Sequence, residues 1–94
     1  MRVAKVIGTI WSTRKDEKLS GYKLLIVQPL NILDDTLDKV PIVAADIIGA
    51  GVGETVIVVG GSSARSAAEN MSVPVDATVV GIVDDMEVNP DVLH

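Results

Sequence analysis

The stretch GAGVGETVIVVGGSSAR, residues 49–65, places a run of branched aliphatic side chains between two glycine clusters. Glycine reaches positive φ and allows another backbone to approach closely, so the first cluster fits either a nucleotide-binding loop or a turn. A dinucleotide fingerprint requires a strand before G-x-G-x-x-G and a helix after it. Here Gly49, Gly51 and Gly53 are spaced G-x-G-x-G, a strand pattern follows them, and the Gly-Lys-Ser/Thr ending of a phosphate loop is missing. The pattern therefore predicts a tight turn between two strands.

The second cluster, Gly60-Gly61-Ser62-Ser63, precedes a segment that favours a short helix, residues 62–70. A helix N-terminus can bind an anion, but a glycine turn followed by a serine N-cap explains the same residues. We favour the turn and keep the anion site as the alternative. Within the helix, Ala64, Ala67 and Ala68 are spaced i, i+3 and i+4, which forms one stripe of small side chains. Such a stripe allows the helix to lie close to another backbone.

The other segments rich in β-branched residues also predict strands, and Pro29, which has no N–H to donate, is expected to end the second of them. The predicted strands cover residues 2–11, 22–29, 41–45, 54–60 and 77–84, with a possible short strand within 30–39. Five short strands and one short helix predict a mainly β protein, a small closed or partly closed barrel. This domain is expected to span residues 1–85, and the polar tail 86–94 is expected to be mobile.

The composition of the 94-residue chain favours self-association. Hydrophobic residues make up 48% of the chain, yet Trp11 and Tyr22 are its only aromatic residues. So much aliphatic surface is typical of a subunit that buries part of it against copies of itself. The net charge of −5 argues against a nucleic-acid partner, because phosphates require a basic surface. We therefore expect Trp11 and Tyr22 to pack in the core or the first hairpin rather than to stack on bases.

The sequence has no residues arranged for catalysis or for metal binding. It contains no cysteine, and its single histidine, His94, is the last residue, so its serines have no histidine within the fold to activate them. The acidic groups around Asp34 and Asp84 lack the alternating oxygens and the glycine of a calcium loop. We therefore predict a protein without enzymatic activity, cofactor or metal. Its apolar runs are too short to span a membrane and no signal peptide is recognisable, so a cytoplasmic location is expected.

Three segments together resemble the bacterial microcompartment vertex proteins, the EutN/CcmL family. They are VIGTIWSTRKDEKLSGYKLLIVQPL (6–30), DIIGAGVGETVIVVGGSSAR (46–65) and DATVVGIVD (76–84), and the resemblance runs from about Met1 to Asp85. It implies a five-stranded barrel akin to the oligonucleotide-binding (OB) fold. The likeness is only loose, because the helix falls between the fourth and fifth strands rather than between the third and fourth. It also implies a homopentamer that caps the vertices of a polyhedral shell, otherwise tiled by hexameric shell proteins, inside the cytoplasm.

A closed ring requires a heterologous interface, in which one face of each subunit binds a different face of its neighbour. Arg65 lies in the first turn of the predicted helix, where the macrodipole disfavours a cation, so a partner on a neighbouring subunit is expected; a solvated arginine is the alternative. The candidate interface residues are Gly60, Gly61, Ser62, Ser63, Ala64, Arg65, Ala67 and Ala68. Two other functions stay open: an OB-like barrel that binds single-stranded nucleic acid, and a small ligand-binding domain with an anion pocket at Gly61–Ser63.

Overall fold

The computed structural model describes residues 1–11, 22–31, 36–37, 40–61, 67–68 and 76–93. These described residues contain six strands, which pair into one sheet. The strands are β1 (Arg2–Ile10), β2 (Lys23–Asn31), β3 (Thr36–Leu37), β4 (Ile42–Asp46), β5 (Thr55–Gly60) and β6 (Ala77–Ile82). Between β5 and β6, Gly61 and Ala67 are helical, and a short 3₁₀ helix (Pro90–Leu93) follows β6.

The sheet closes on itself as a five-stranded barrel. β1 pairs antiparallel with both β2 and β5, β2 pairs antiparallel with β4, and β5 with β6. A short parallel pairing between β4 and β6 completes the circle. β3 pairs only with the end of β2 and lies outside the closed ring of strands. The prediction of a mainly β, five-stranded barrel is confirmed.

The barrel interior is filled by valine, alanine and one leucine. Strand β5 shows the pattern most clearly, because Val56 and Val58 are buried while the residues between and around them are partly exposed. Alternate residues of a strand point to opposite faces, so one set fills the barrel. The largest fully buried side chains are Leu25, Val6, Val27, Val56, Val79 and Thr78. A small barrel has room for side chains of this size, which is consistent with a core built without aromatic residues.

The prediction that the second strand ends at Pro29 was wrong, because β2 continues to Asn31. The pairing of β2 with β4 has already ended at Val27. Pro29 is also the last residue of β2 to pair with β1, opposite Ala4. The missing N–H of proline therefore falls where the barrel ladders end, a position that proline tolerates. Beyond it, the strand pairs with β3.

The two aromatic residues differ in their surroundings. Tyr22 is partly buried and packs beside Ala45 and Ala68, and its hydroxyl donates a hydrogen bond to the carbonyl oxygen of Ala68 at 2.9 Å. The side chain of Trp11, just after β1, is 90% exposed in the single chain. The packing prediction was therefore wrong for Trp11. This hydrogen bond ties Ala68, which lies between β5 and β6, to the start of β2.

Candidate functional site

The first glycine cluster forms the turn between β4 and β5, as its sequence predicts. Gly49 and Gly53 have φ values of 94° and 93°, in the region that side chains rarely adopt. The amide of Gly51 donates to Glu54 Oε1 at 2.6 Å, and the amide of Glu54 donates to the carbonyl oxygen of Gly51 at 3.1 Å. This pair of reciprocal hydrogen bonds closes the second half of the turn.

The first half of the turn is organised by the buried carboxylate of Asp46, the last residue of β4. Its Oδ1 accepts hydrogen bonds from the amides of Ile48 at 2.9 Å and Gly49 at 3.1 Å. An aspartate that binds amides two and three residues ahead stabilises a turn locally. From the neighbouring strand, Lys23 Nζ donates to the carbonyl oxygen of Ala50 at 2.8 Å. Together with Glu54, these two residues hold the backbone of the turn by three charged side chains.

The end of the turn is fixed to the barrel through β1. The amide of Gly53 donates to the carbonyl oxygen of Val6 at 2.8 Å, and the amide of Val6 donates to the carbonyl oxygen of Glu54 at 2.9 Å. A phosphate-binding loop presents its amide N–H groups to the ligand. Here the amides of Ile48, Gly49, Gly51 and Gly53 are bound to acceptors of the protein itself. The turn therefore has a structural role.

We predict that the two glycines of this turn differ in their tolerance of alanine. At Gly53 a Cβ would meet no atom within 4 Å, so the positive φ alone opposes a side chain and should cost about 1–2 kcal/mol. Gly51 does not have a φ in the positive region that side chains rarely adopt, and a Cβ there would touch only Glu54 Oε1 at 3.5 Å. Urea unfolding should show Gly53→Ala destabilised and the control Gly51→Ala close to the parent protein. Equal unfolding midpoints for the two variants would contradict this.

The second glycine cluster also forms a turn. Gly61 has a φ of 61°, and its amide donates to the carbonyl oxygen of Asp76 at 2.9 Å, which joins the end of β5 to the start of β6. A Cβ on Gly60 would lie 3.3 Å from the same carbonyl oxygen. The amide of Gly61 is therefore occupied by a backbone acceptor, which favours the turn over the anion site.

The candidate interface residues of the helical segment are only partly described. Ser62, Ser63, Ala64 and Arg65 lie outside the described residues. The side chain of Ala68 is buried within its own chain against Ala45, whereas that of Ala67 is partly exposed. The assignment of this segment to a subunit interface stays a prediction, and the described contacts show Ala68 packed against the barrel.

An open groove of about 430 Å³ lies beside the second glycine turn. Its ionisable side chains are Arg2 and Asp76, and the remaining lining residues are Met1, Ile42, Val58, Val59, Gly60 and Ala77. This lining offers no pair of groups suited to nucleophilic or general acid–base catalysis. In the part of the chain that the structure describes, no cluster of histidine and carboxylate side chains could hold a metal ion. No helix among these residues has the length and apolar character to span a bilayer.

The β4–β5 turn presents an apolar surface that the sequence patterns did not single out. The side chains of Ile47, Ile48 and Val52 are 42%, 46% and 64% exposed, and we call these three residues the turn surface. The sequence signal was available, since three branched aliphatic residues occur within a glycine-rich turn, where polar residues are usual. Interpreting the glycines only as turn residues left these side chains without a role.

Comparisons with known proteins give consistent matches. The family model described as "Ethanolamine utilisation protein EutN/carboxysome" matches residues 1–84. The chain is 47% identical over 88 residues to the carboxysome shell vertex protein CcmL of Synechocystis sp., covering 94% of this chain and 87% of that protein. It is 48% identical over 89 residues to the microcompartment shell vertex protein GrpN of Rhodospirillum rubrum, covering 93% of this chain and 97% of GrpN.

Solved structures agree with these sequence matches. The structure of an ethanolamine utilization protein, EutN, superimposes with a TM-score of 0.88 at 42% identity, covering 94% of this chain and 91% of that one. The pentameric microcompartment shell protein GrpN of Rhodospirillum rubrum superimposes with a TM-score of 0.84 at 48% identity. That match covers 95% of this chain and all of GrpN, so the similarity extends over the barrel as a whole.

Proposed function

This chain belongs to the EutN/CcmL family, and we propose from that premise that five copies of it form a ring that closes a vertex of a bacterial microcompartment shell. The protein is a structural component of the shell, as its relatives CcmL and GrpN are shell vertex proteins. The observation that carries the proposal is the match of the complete barrel to the pentameric shell protein GrpN.

The surface of the single chain supports assembly into a ring. A ring of identical subunits buries two different faces of each subunit, so the isolated subunit must expose apolar surface on more than one side. Exposed large apolar side chains occur on β1 at Ile7, before β4 at Val40, on β4 at Val43 and in the β4–β5 turn. Their spread over several elements agrees with this requirement.

One face of the ring contact is assigned in this proposal to the segment from Gly60 to Arg65 with Ala67. The turn at Gly60 and Gly61 is anchored to Asp76 and is exposed to solvent, and Ala67 is partly exposed, so the described part of this face is accessible in the single chain. Ala68, the remaining candidate, is buried against the barrel in the single chain. Small residues at such a place permit a neighbouring backbone to come close.

The proposal includes a shell role without catalysis and without nucleic acid. The resemblance to this family implies that hexameric shell proteins tile the facets of the shell, and the ring would fit between them. The net charge of −5 disfavours contact with phosphates, and the amides of the first glycine turn are bound within the protein. These observations support a structural protein over the nucleic-acid and anion-binding alternatives.

Light scattering after size exclusion tests the proposed assembly. The purified chain is expected to run as a particle with five times the mass of one subunit. A monomer that binds single-stranded DNA at physiological salt would instead support the nucleic-acid alternative. Co-expression with hexameric shell proteins of the same organism tests the vertex role, because closed polyhedral shells are expected only when this chain is present.

A further inference from the structure

The turn surface is unusual for a loop because it is apolar and exposed. Ile47, Ile48 and Val52 lie within six consecutive residues, and Val52 is 64% exposed. Exposed turns usually carry polar residues, whereas a cluster of exposed aliphatic side chains marks a surface that another molecule covers. The inner residues of the same turn behave differently, since Ala50 is fully buried in the barrel core.

The backbone beneath the turn surface is already held in one conformation. Asp46 binds the amides of Ile48 and Gly49, Lys23 binds the carbonyl of Ala50, and the Gly53 amide is bound to Val6. A surface that is ordered before binding loses little conformational entropy on association. The turn is therefore built to present its side chains to a partner.

The charge around the turn surface indicates what kind of partner fits. The chain has a net charge of −5, so two copies repel each other unless they meet through neutral surfaces. The two carboxylates that flank the turn, Asp46 and Glu54, are directed at amides of the turn itself. Between them, residues 47–53 carry no charge. A second copy of this acidic chain can approach here without opposing a free carboxylate of the turn.

We propose that the turn surface is one of the two faces through which neighbouring copies of this chain bind each other in the ring. This inference rests on the proposed pentamer and deepens it by naming the residues of a contact. The solved relatives that are described as pentameric show that chains of this fold bind their own copies. Because ring contacts are heterologous, the turn surface meets a different part of the neighbour.

A charged residue in the turn surface should therefore dissociate the ring. Val52→Glu introduces a carboxylate at the most exposed position of the surface, which a neighbouring copy would bury without a partner. Val92→Glu is the matched control, since Val92 is also a highly exposed valine, 76%, and lies in the 3₁₀ helix that follows the barrel. At micromolar concentration, light scattering is expected to show a fivefold lower particle mass for Val52→Glu and an unchanged ring for Val92→Glu.

Three results would overturn the inference. A Val52→Glu ring as stable to dilution as the parent ring would place the contact between copies elsewhere. A Val52→Glu ring that is intact but fails to join hexameric shell proteins would also do so. Dissociation of both variants would show that added charge alone separates the subunits. If circular dichroism shows that Val52→Glu is unfolded, the neutral variant Val52→Ser decides by the same criterion. A monomeric parent chain would overturn the proposed function itself, so the two failures are distinguishable.

Discussion

Leu25→Ala is expected to lower the free energy of unfolding by about 2–5 kcal/mol, the range for a large-to-small change at a buried site. Leu25 is the third residue of β2 and is fully buried in the barrel. Its cross-strand neighbours are Thr9 on β1 and Ala44 on β4, whose short side chains cannot extend into the space left by the leucine. A loss of this size is a large share of the total stability of a small domain.

Urea unfolding followed by circular dichroism measures this effect, at one fixed chain concentration because assembly makes the midpoint concentration-dependent. The control is Val92→Ala, which removes methyl groups from a side chain that is 76% exposed. Exposed substitutions usually change stability by less than about 0.5 kcal/mol. Equal losses in the two variants would contradict the assignment of Leu25 to the core.

The strands could be predicted from the sequence because their signal is local. In β5, the alternation that buries Val56 and Val58 is carried by adjacent residues, and the glycines at both ends mark its limits. The number of strands and their short lengths then indicated a barrel. The pairing that closes this barrel, β4 with β6, joins segments far apart in the chain and has no local signature.

The errors at Pro29 and Trp11 have the same origin. Proline is unfavourable in a strand only where its N–H is needed, and whether a ladder continues at that residue depends on how far β4 and β1 extend. Trp11 was assigned to packing because the acidic chain argues against stacking on bases. Its exposure depends on where β1 ends relative to the rest of the barrel, which the sequence around it does not specify.

The turn between β4 and β5 was predictable as a turn, but the contacts that fix it were not. Glycine spacing indicated the backbone conformation of Gly49 and Gly53. The partners Lys23 and Val6 come from β2 and β1, and only the closed barrel brings them to the turn. Since part of the rigidity of the turn arises from these distant residues, its role as a surface for other molecules emerges only from the structure.

Asp46→Ala is expected to lower the free energy of unfolding by about 2–4 kcal/mol. The substitution removes the acceptor of two amides, those of Ile48 and Gly49, and a hydrogen bond to a charged group is worth about 1.5–3 kcal/mol. Water can replace part of the loss, because both bonds are only partly buried. The remaining cost falls on the turn, where Gly49 is no longer held at its positive φ.

Asp46→Asn separates the hydrogen bonds from the shape of the side chain. An amide oxygen in the place of Oδ1 keeps the hydrogen bond from Ile48, but an NH2 group replaces Oδ2, which also accepts from the Gly49 amide at 3.1 Å. This variant should therefore lose less stability than Asp46→Ala, with its loss at Gly49. Hydrogen exchange at the amides of Ile48 and Gly49 should accelerate in Asp46→Ala, and that of Ile48 should stay slow in Asp46→Asn, while exchange in β5 changes little in either. Unchanged protection in Asp46→Ala would show that the turn is held without the carboxylate. Because the turn surface depends on that backbone, the ring of Asp46→Ala should also dissociate on dilution before that of Asp46→Asn.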